Sequence, residues 1–355
     1  MSERPPGWHT SNYKTMISVV IPTFNRLDSL KRVLDALEGQ VYPLEKFEVV
    51  VVSDGSGDGT HEYLQNAQTP YRLKPLVQAN QGPAAARNYG VAQATGDLIL
   101  FIDDDVVPDP HLIREHVRLH HRHAEDVVVI GPMLTPLDAK LAPWVQWSQD
   151  RLAEQYQAMV TGQWQPTARQ FYTGNTSLPR HLIIESGGFD PNFRRAEDVE
   201  LAYRLADRGT RFLFNPQAKG YHYEERTFAS WLSIPYAYGR YDVIFAVQKG
   251  QTWILEQVLK EYHHRHPLIR GIIWLGLDRP RLSQAIIGLM KNLVNAGDRL
   301  RLAALIRLAC SSTFNLRLYQ GMADELGGRQ CFYNGVPGEL TEQSQPRKEN
   351  QRVPA

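Results

Sequence analysis

The sequence predicts an α/β protein: a mostly parallel central sheet with helices on both faces, followed by a C-terminal helical region. Three observations carry this. Between residues 16 and 102, short β-branched runs alternate with stretches of helical period, and strands separated by helices of ~10–15 residues imply right-handed crossovers and parallel pairing. Residues 98–102 are apolar without a break, as a strand covered on both faces requires. From Thr227 to about Ala323 the apolar period is helical, as in Leu282, Ile286, Leu289 and Leu293.

Residues 16–21 form a β-branched run closed by Pro22, and Leu30, Val33, Leu34 and Leu37 follow at helical spacing up to Gly39, a C-terminal cap. Residues 47–52 and a helix over 61–67 repeat the pattern. Residues 73–78, then Gly82-Pro83 and a helix through Tyr89 to Ala94, repeat it again. Residues 98–102 make the fourth strand. A helix begins near Pro110, residues 127–130 are a further strand, and the Trp- and Gln-rich stretch 143–166 is a helix. Residues 197–208 are helical, with Val199, Ala202, Leu205 and Ala206 on one face and Gly209 at the end. Residues 212–214 and 218–222 are short strands. The domain expectation is a flexible N-terminus over 1–15, an α/β domain over 16–225, a helical region over 226–334, and a disordered tail over 335–355 that lacks apolar content.

The net charge of +1 hides an asymmetry: residues 1–225 carry 22 Lys and Arg against 28 Asp and Glu, and residues 226–355 carry 17 against 10. Two cysteines, Cys310 and Cys331, are too few for a disulfide framework and lack metal-ligand spacing. The first 15 residues show no apolar signal segment, and no apolar run approaches the ~20 residues of a membrane span. A cytoplasmic setting is expected, with no nucleic-acid partner.

The fourth strand ends in Asp103, Asp104 and Asp105, three like charges that repel unless a cation is shared. In extended chain, i and i+2 project to one face, so Asp103 and Asp105 would grip one ion while Asp104 points away. Oxygen ligation suits Mg2+ or Mn2+, which bind substrate phosphates through one or two carboxylates. An acidic turn ahead of the helix near Pro110 is the other reading, and the context decides. Loops after the strands hold Pro22-Thr23-Phe24-Asn25-Arg26, Asp54-Gly55-Ser56 and the acidic triplet, so three loops meet where ligands bind in such sheets, beyond the carboxyl ends of the strands.

The segments SVVIPTFNR (18–26), VVSDGSGDGT (51–60), GPAAARNYG (82–90) and FIDDD (101–105), continued by GGFD (187–190), Glu197-Asp198 and His222, resemble the inverting glycosyltransferases of family 2. The resemblance covers roughly residues 16–225 and implies a GT-A fold and transfer of a sugar from a nucleotide-diphosphate donor to an acceptor hydroxyl. By that resemblance Asp54 accepts a hydrogen bond from the base, most often uracil, beside Pro22, Thr23, Asn25 and Arg26. Asp103 and Asp105 hold the cation that neutralises the leaving diphosphate, with Asp104 beside the donor. His222 completes the metal site, and an imidazole ligand tilts preference toward Mn2+. In the acidic pair Glu197-Asp198, Asp198 takes the acceptor proton; its place in the first helical turn favours the ionised form, which leaves it a weak base. Arg87 is a diphosphate or base contact, or else an ion-pair partner of Asp54 or Asp103. Gly174, Asn175 and Gly188 lie in loops lining acceptor and donor sugar, where glycine permits close backbone approach.

The segment from Asp54 to Gly59 mimics a calcium loop but has Gln65 at its twelfth position and follows a strand. His116 and His120 stand at i and i+4 without a metalloprotease-type carboxylate motif and read as a solvated helix face. The Gln-x-x-Arg-Trp signature of processive polysaccharide synthases does not occur, so one sugar per encounter is expected. The acceptor would be a glycan or lipid-linked molecule, bordered by the helix over 143–166, and the basic C-terminal helices would either meet the inner face of a membrane or pack as a cap on the catalytic domain. The alternative is a non-catalytic sugar-nucleotide or glycan-binding module of the same fold.

Overall fold

The computed structural model describes residues 15–193, 195–224 and 226–334. The sequence expectations over 1–14 and 335–355 lie outside the described residues. Of the described residues, those up to 140 together with 149–224 form one compact unit, and those of 141–148 together with 226–334 form a second.

The first unit runs β1 (Ile17–Thr23), α1 (Leu27–Glu38), β2 (Phe47–Asp54), α2 (Thr60–Asn66), β3 (Arg72–Gln78), α3 (Pro83–Gln93), β4 (Leu98–Ile102), β5 (Val106–Pro108), α4 (Leu112–Arg122), β6 (Val127–Ile130), β7 (Met133–Leu134), α5 (Pro143–Val160), β8 (Asn175–Pro179), α6 (Arg180–Glu185), α7 (Glu197–Asp207), β9 (Arg211–Phe214) and β10 (Gly220–His222), with α5 starting among residues of the second unit. Seven strands form one sheet in the order β3-β2-β1-β4-β8-β6-β9, and β5-β10-β7 form a smaller one. In the large sheet β8 runs antiparallel to β4 and β6, while the other pairs are parallel. The β-branched run of β2 is buried at every position, whereas β3 at the edge has no buried residue and is exposed at Arg72, Pro75 and Val77. The expected buried face of α1, Leu30, Val33, Leu34 and Leu37, packs into a core with Ile17, Val19, Ile21 and Val49.

Two local expectations change. β1 continues through Pro22 to Thr23, because β4 pairs only with Ile17 to Val20 and the proline lies past that ladder. Residues 174–176 are not a surface loop: Asn175 and Thr176 open β8, whose residues are all buried. The parallel registers, Thr23 beside Ser53 and Val20 beside Phe101, bring the chain after β1, β2 and β4 to one edge of the sheet.

The second unit is helical: α8 (Phe228–Gln248), α9 (Trp253–His264), α10 (Pro267–Gly276), α11 (Pro280–Arg299), α12 (Ala303–Leu326) and α13 (Arg329–Asn334). α8 and α12 cross at glycines, since a Cβ on Gly239 would stand 1.9 Å from the Leu318 carbonyl oxygen and one on Gly321 2.0 Å from that of Tyr236. Trp144 and Trp147, from the start of α5, pack with Phe228, Trp231 and Phe314 in this unit. Among the described residues no helix is long and apolar enough to cross a membrane.

Candidate functional site

The acidic triplet is a turn: after β4 ends at Ile102, Val106 N–H donates to the Asp103 carbonyl at 3.1 Å. The extended i, i+2 geometry does not apply: Asp103 takes a partner of its own, while Asp104 and Asp105 share Arg26. Asp103 Oδ1 accepts from Arg87 Nη2 at 2.9 Å, Asp104 Oδ1 accepts from Arg26 Nη1 at 3.3 Å, and Asp105 is held by Arg26 and by His222, whose Nε2 lies 3.4 Å from Oδ1. Asp104, expected to point away, is buried; burial pushes its carboxyl up to about 7 despite the Thr23 hydroxyl and Arg26. Burial also works against the charge of Asp105, yet His222 and Arg26 outweigh it and bring the carboxyl down to about 2. The same contact raises the His222 imidazole above its ordinary value against the effect of burial. β5 and β10 pair antiparallel with His222 opposite Val106, which seats the imidazole over the turn.

Arg87, inside α3 and buried, joins this turn to α7. Its Nη1 donates to Glu197 Oε1 at 2.6 Å while Nη2 holds Asp103, so its charge is spread over two acids from distant parts of the chain. No ion pair to Asp54 accompanies these. Asp198 follows Glu197 at the start of α7, where the preceding Ala196 takes a left-handed φ of 58°. Its carboxyl is not a weakly basic, readily ionised group: desolvation and the adjoining Glu197 push it up to about 7, against the pull of Arg87.

Asp54 lies apart from this rail of charges. Its Oδ1 accepts from Gln78 Nε2 at 2.7 Å and Gln81 N–H at 2.9 Å, and its Oδ2 from Gly82 N–H at 2.9 Å, so the carboxylate organises the loop into α3. Asn25, at φ 53°, ties the first two loops: its Oδ1 accepts from Gly57 N–H at 2.7 Å and its N–H donates to Ser56 Oγ at 3.0 Å. Pro22 and Thr23 end β1, and Thr23 is buried by Asp104. Gly188, at φ 74°, is locked between Asn88, which exchanges two hydrogen bonds with the Phe189 backbone, and Arg204, which donates to the Gly188 carbonyl at 2.6 Å.

Asn175 is not a substrate contact. It is wholly buried, its Nδ2 donates to the Pro132 and Ala218 carbonyls, and its Oδ1 meets His116 Nε2 at 2.9 Å, so it has no face left for a ligand. Gly174 is buried too; a Cβ there would stand 3.0 Å from Asp103 Oδ2 and 2.5 Å from Met133 Sδ, so the glycine lets the chain lie against the acidic turn.

His116 and His120 of α4 are not a solvated face. His116 Nδ1 and His120 Nε2 each lie 2.8 Å from Ser177 Oγ. The amide orientation of Asn175 is fixed by its two carbonyl partners, so His116 must donate from Nε2 and accept at Nδ1 from the Ser177 hydroxyl, and His120 must donate to Ser177. Both imidazoles are neutral: burial brings His116 down to about 4 and His120 to about 3. This chain of donors passes under the site through Asn175. Its sequence signal, the i, i+4 histidines, was visible, but Ser177 sits in a strand that reads as a loop.

The donor set fits a divalent cation only in part. Among the described residues no three His, Cys, Asp or Glu side chains are arranged so that they could hold a metal ion together. Asp105 and His222 do converge as an oxygen and nitrogen pair, with Asp103 the most exposed carboxylate of the turn, and Mg2+ or Mn2+ in phosphate chemistry needs only one or two protein ligands besides substrate.

The fold and site are those of a mixed α/β sheet whose strand ends present an acidic turn, two arginines and a helix-borne acidic pair. The profile of glycosyl transferase family 2 matches residues 18–198, and the chain belongs to that family. A validoxylamine A glucosyltransferase of Streptomyces hygroscopicus subsp. jinggangensis is 33% identical over 230 residues, covering 58% of this chain and 54% of that protein. Glycosyltransferase AglE of Haloferax volcanii is 27% identical over 247 residues, 68% of this chain and 75% of that protein. The chain spans about half the length of the validoxylamine A glucosyltransferases it matches. The fold is shared with the mannosyltransferase PcManGT from Pyrobaculum calidifontis in complex with GDP-Man and Mn2+, at a TM-score of 0.56 and 20% identity over 87% of each chain. It is shared as well with residues 1–349 of S. aureus TarS in complex with UDP-GlcNAc, at a TM-score of 0.56 and 18% identity over 88% of this chain and 92% of that one. The fold is therefore GT-A.

Proposed function

We propose that the chain transfers one sugar from a nucleotide-diphosphate donor, a UDP-sugar, to a hydroxyl of a glycan or lipid-linked acceptor, with inversion at the anomeric carbon and without processive elongation. The observation that carries this reading is the pairing of Asp198, a carboxyl pushed up to about 7, with an acidic turn to which Arg87 couples its neighbour Glu197. A base poised near neutral pH takes a proton more readily than an ordinary aspartate does. Fold neighbours hold UDP-GlcNAc in one case and GDP-Man with Mn2+ in another, which supports the donor class.

In this reading Asp54 receives the base N–H on an acceptor position that its contacts with Gln78, Gln81 and Gly82 leave on the two carboxyl oxygens. Arg26, its side chain half exposed beside Asp104 and Asp105, meets the phosphates. Mn2+ or Mg2+ at Asp105 and His222, with Asp103 at the rim, would supply positive charge to the departing diphosphate. Asp198 accepts the proton of the acceptor hydroxyl as its oxygen attacks C1 from the face opposite the diphosphate. The bond from C1 to the diphosphate oxygen breaks, and the electron pair leaves with the nucleotide. Glu197 stays on Arg87 and fixes the start of α7. Pro22, Thr23, Asn25, Gly174 and Gly188 shape the walls by backbone position. The setting is cytoplasmic, at the inner surface of a membrane that carries the acceptor.

Release of nucleoside diphosphate from a panel of UDP-, GDP- and dTDP-sugars in the presence of Mn2+ tests the proposal. Release from UDP-sugars that disappears in Asp198→Asn is expected. Absence of release from every donor, or an Asp198→Asn variant that retains the full rate, overturns it.

A further inference from the structure

We infer that the surface of the second unit formed by α10, α11 and the start of α12 docks on an anionic lipid bilayer, lying on it without crossing it. α10 is ten residues of largely apolar sequence, too short to span, and stretches of that length are either buried in a core or interfacial. It is not buried: Leu268, Trp274 and Leu275 stand exposed while Ile273 and Gly276 face inward. α11 repeats the arrangement, with Leu282 and Leu289 outward, seven residues apart, and Met290 and Val294 inward. The turn into α12 adds Leu300 and Leu302, and the start of α12 adds Leu308. These eight side chains are each 39–66% exposed, and they account for eight of the twenty large apolar residues exposed among the described residues. Large apolar exposure concentrated in this way marks an interaction surface.

The charge around it says what covers it. Residues 267–308 hold seven Lys and Arg against two Asp. Arg299, Arg301 and Arg307 interleave with Leu300, Leu302 and Leu308, and all three arginines are exposed. Trp274 stands between two guanidinium groups, Arg279 at 5.3 Å and Arg329 at 4.8 Å from its ring. Leucines for the acyl boundary, a tryptophan at headgroup level and arginines for phosphate match an amphipathic surface on anionic lipid. A protein partner of acidic surface would meet the arginines but would not call for so many separate leucines at the rim. This inference deepens the reading of a lipid-linked acceptor, yet it is read out without any transfer.

Flotation of the full chain with phosphatidylcholine vesicles, with and without phosphatidylglycerol, tests it, and soluble-donor hydrolysis measured in parallel keeps its failure distinct from a failure of the catalytic reading. The chain is expected to float with the anionic vesicles, to stay at the bottom with the neutral ones, and to be released by salt. Each exposed arginine replaced is expected to weaken partition about fivefold, so Arg299→Gln, Arg301→Gln and Arg307→Gln together cost about a hundredfold. Leu282→Gln with Leu289→Gln weakens it further while leaving the thermal midpoint unchanged. Failure to float with anionic vesicles, equal flotation on neutral lipid, or a dimer in sedimentation that the leucine variants dissociate would each overturn the inference, the last by making a second copy the occupant.

Discussion

Arg87 Nη1 lies 2.6 Å from Glu197 Oε1, and through its other nitrogen the same guanidinium holds Asp103 at 2.9 Å. One buried cation thus fixes both the turn after β4 and the start of α7, whose proposed base is the next residue. Removing one member of a buried ion network leaves the others charged and unpaired, which costs about 3–5 kcal/mol. Arg87→Met is expected to lose that much in denaturant unfolding, and Arg87→Lys less, because the lysine keeps the charge but not the fork.

The pH profile follows from the same arrangement. Asp198 must be unprotonated to act, so kcat/KM should rise with pH through about 7 and level off above it. Arg87 favours the ionised form of Asp198, so Arg87→Met should move this limb to higher pH; a limb at the ordinary aspartate value in the unaltered protein would contradict the assignment.

Acid sensitivity is expected from α4. His116 is neutral in the fold, with its pKa down at about 4, but protonates at about 6.5 when unfolded. The unfolded state therefore binds more protons below 6.5, and stability is full above that pH and falls progressively toward 4, by on the order of 3 kcal/mol for this residue. Urea midpoints measured at pH 7.5 and pH 5 should differ, and His116→Gln should narrow the difference.

Ser177→Ala should cost about 1–3 kcal/mol at neutral pH, because His116 Nδ1 and His120 Nε2 both lose their buried partner. Gly188→Ala should also destabilise, since φ is 74° and its Cβ would stand 2.6 Å from Asn88 Oδ1.

Most of the parallel core was legible. Residues 98–102 and 127–130 match β4 and β6, and the four apolar positions of α1 are all buried. β8 was hidden, because Asn175, Thr176, Ser177 and Pro179 carry turn chemistry, and only the tertiary bonds to His116 and the neighbouring carbonyls make such a strand satisfiable in the interior. The candidate residues around Asp103–Asp105 were legible as residues, but the alternation argument failed where the strand stops at Ile102 and turns. The raised carboxyl of Asp198 was hidden as well, since a first-turn position announces the helix dipole while desolvation appears only once Glu197 and the surrounding chain are in place.

The site's central reading is tested most directly by thermal unfolding with UDP, in the presence and absence of Mn2+, for the unaltered chain and for Asp105→Asn. A ligand at a hundredfold its Kd stabilises the native state by about 2.7 kcal/mol. A midpoint raised by UDP only with Mn2+, and no longer raised in Asp105→Asn, is the predicted result. A midpoint unmoved by UDP, or moved equally with and without the cation, would contradict it.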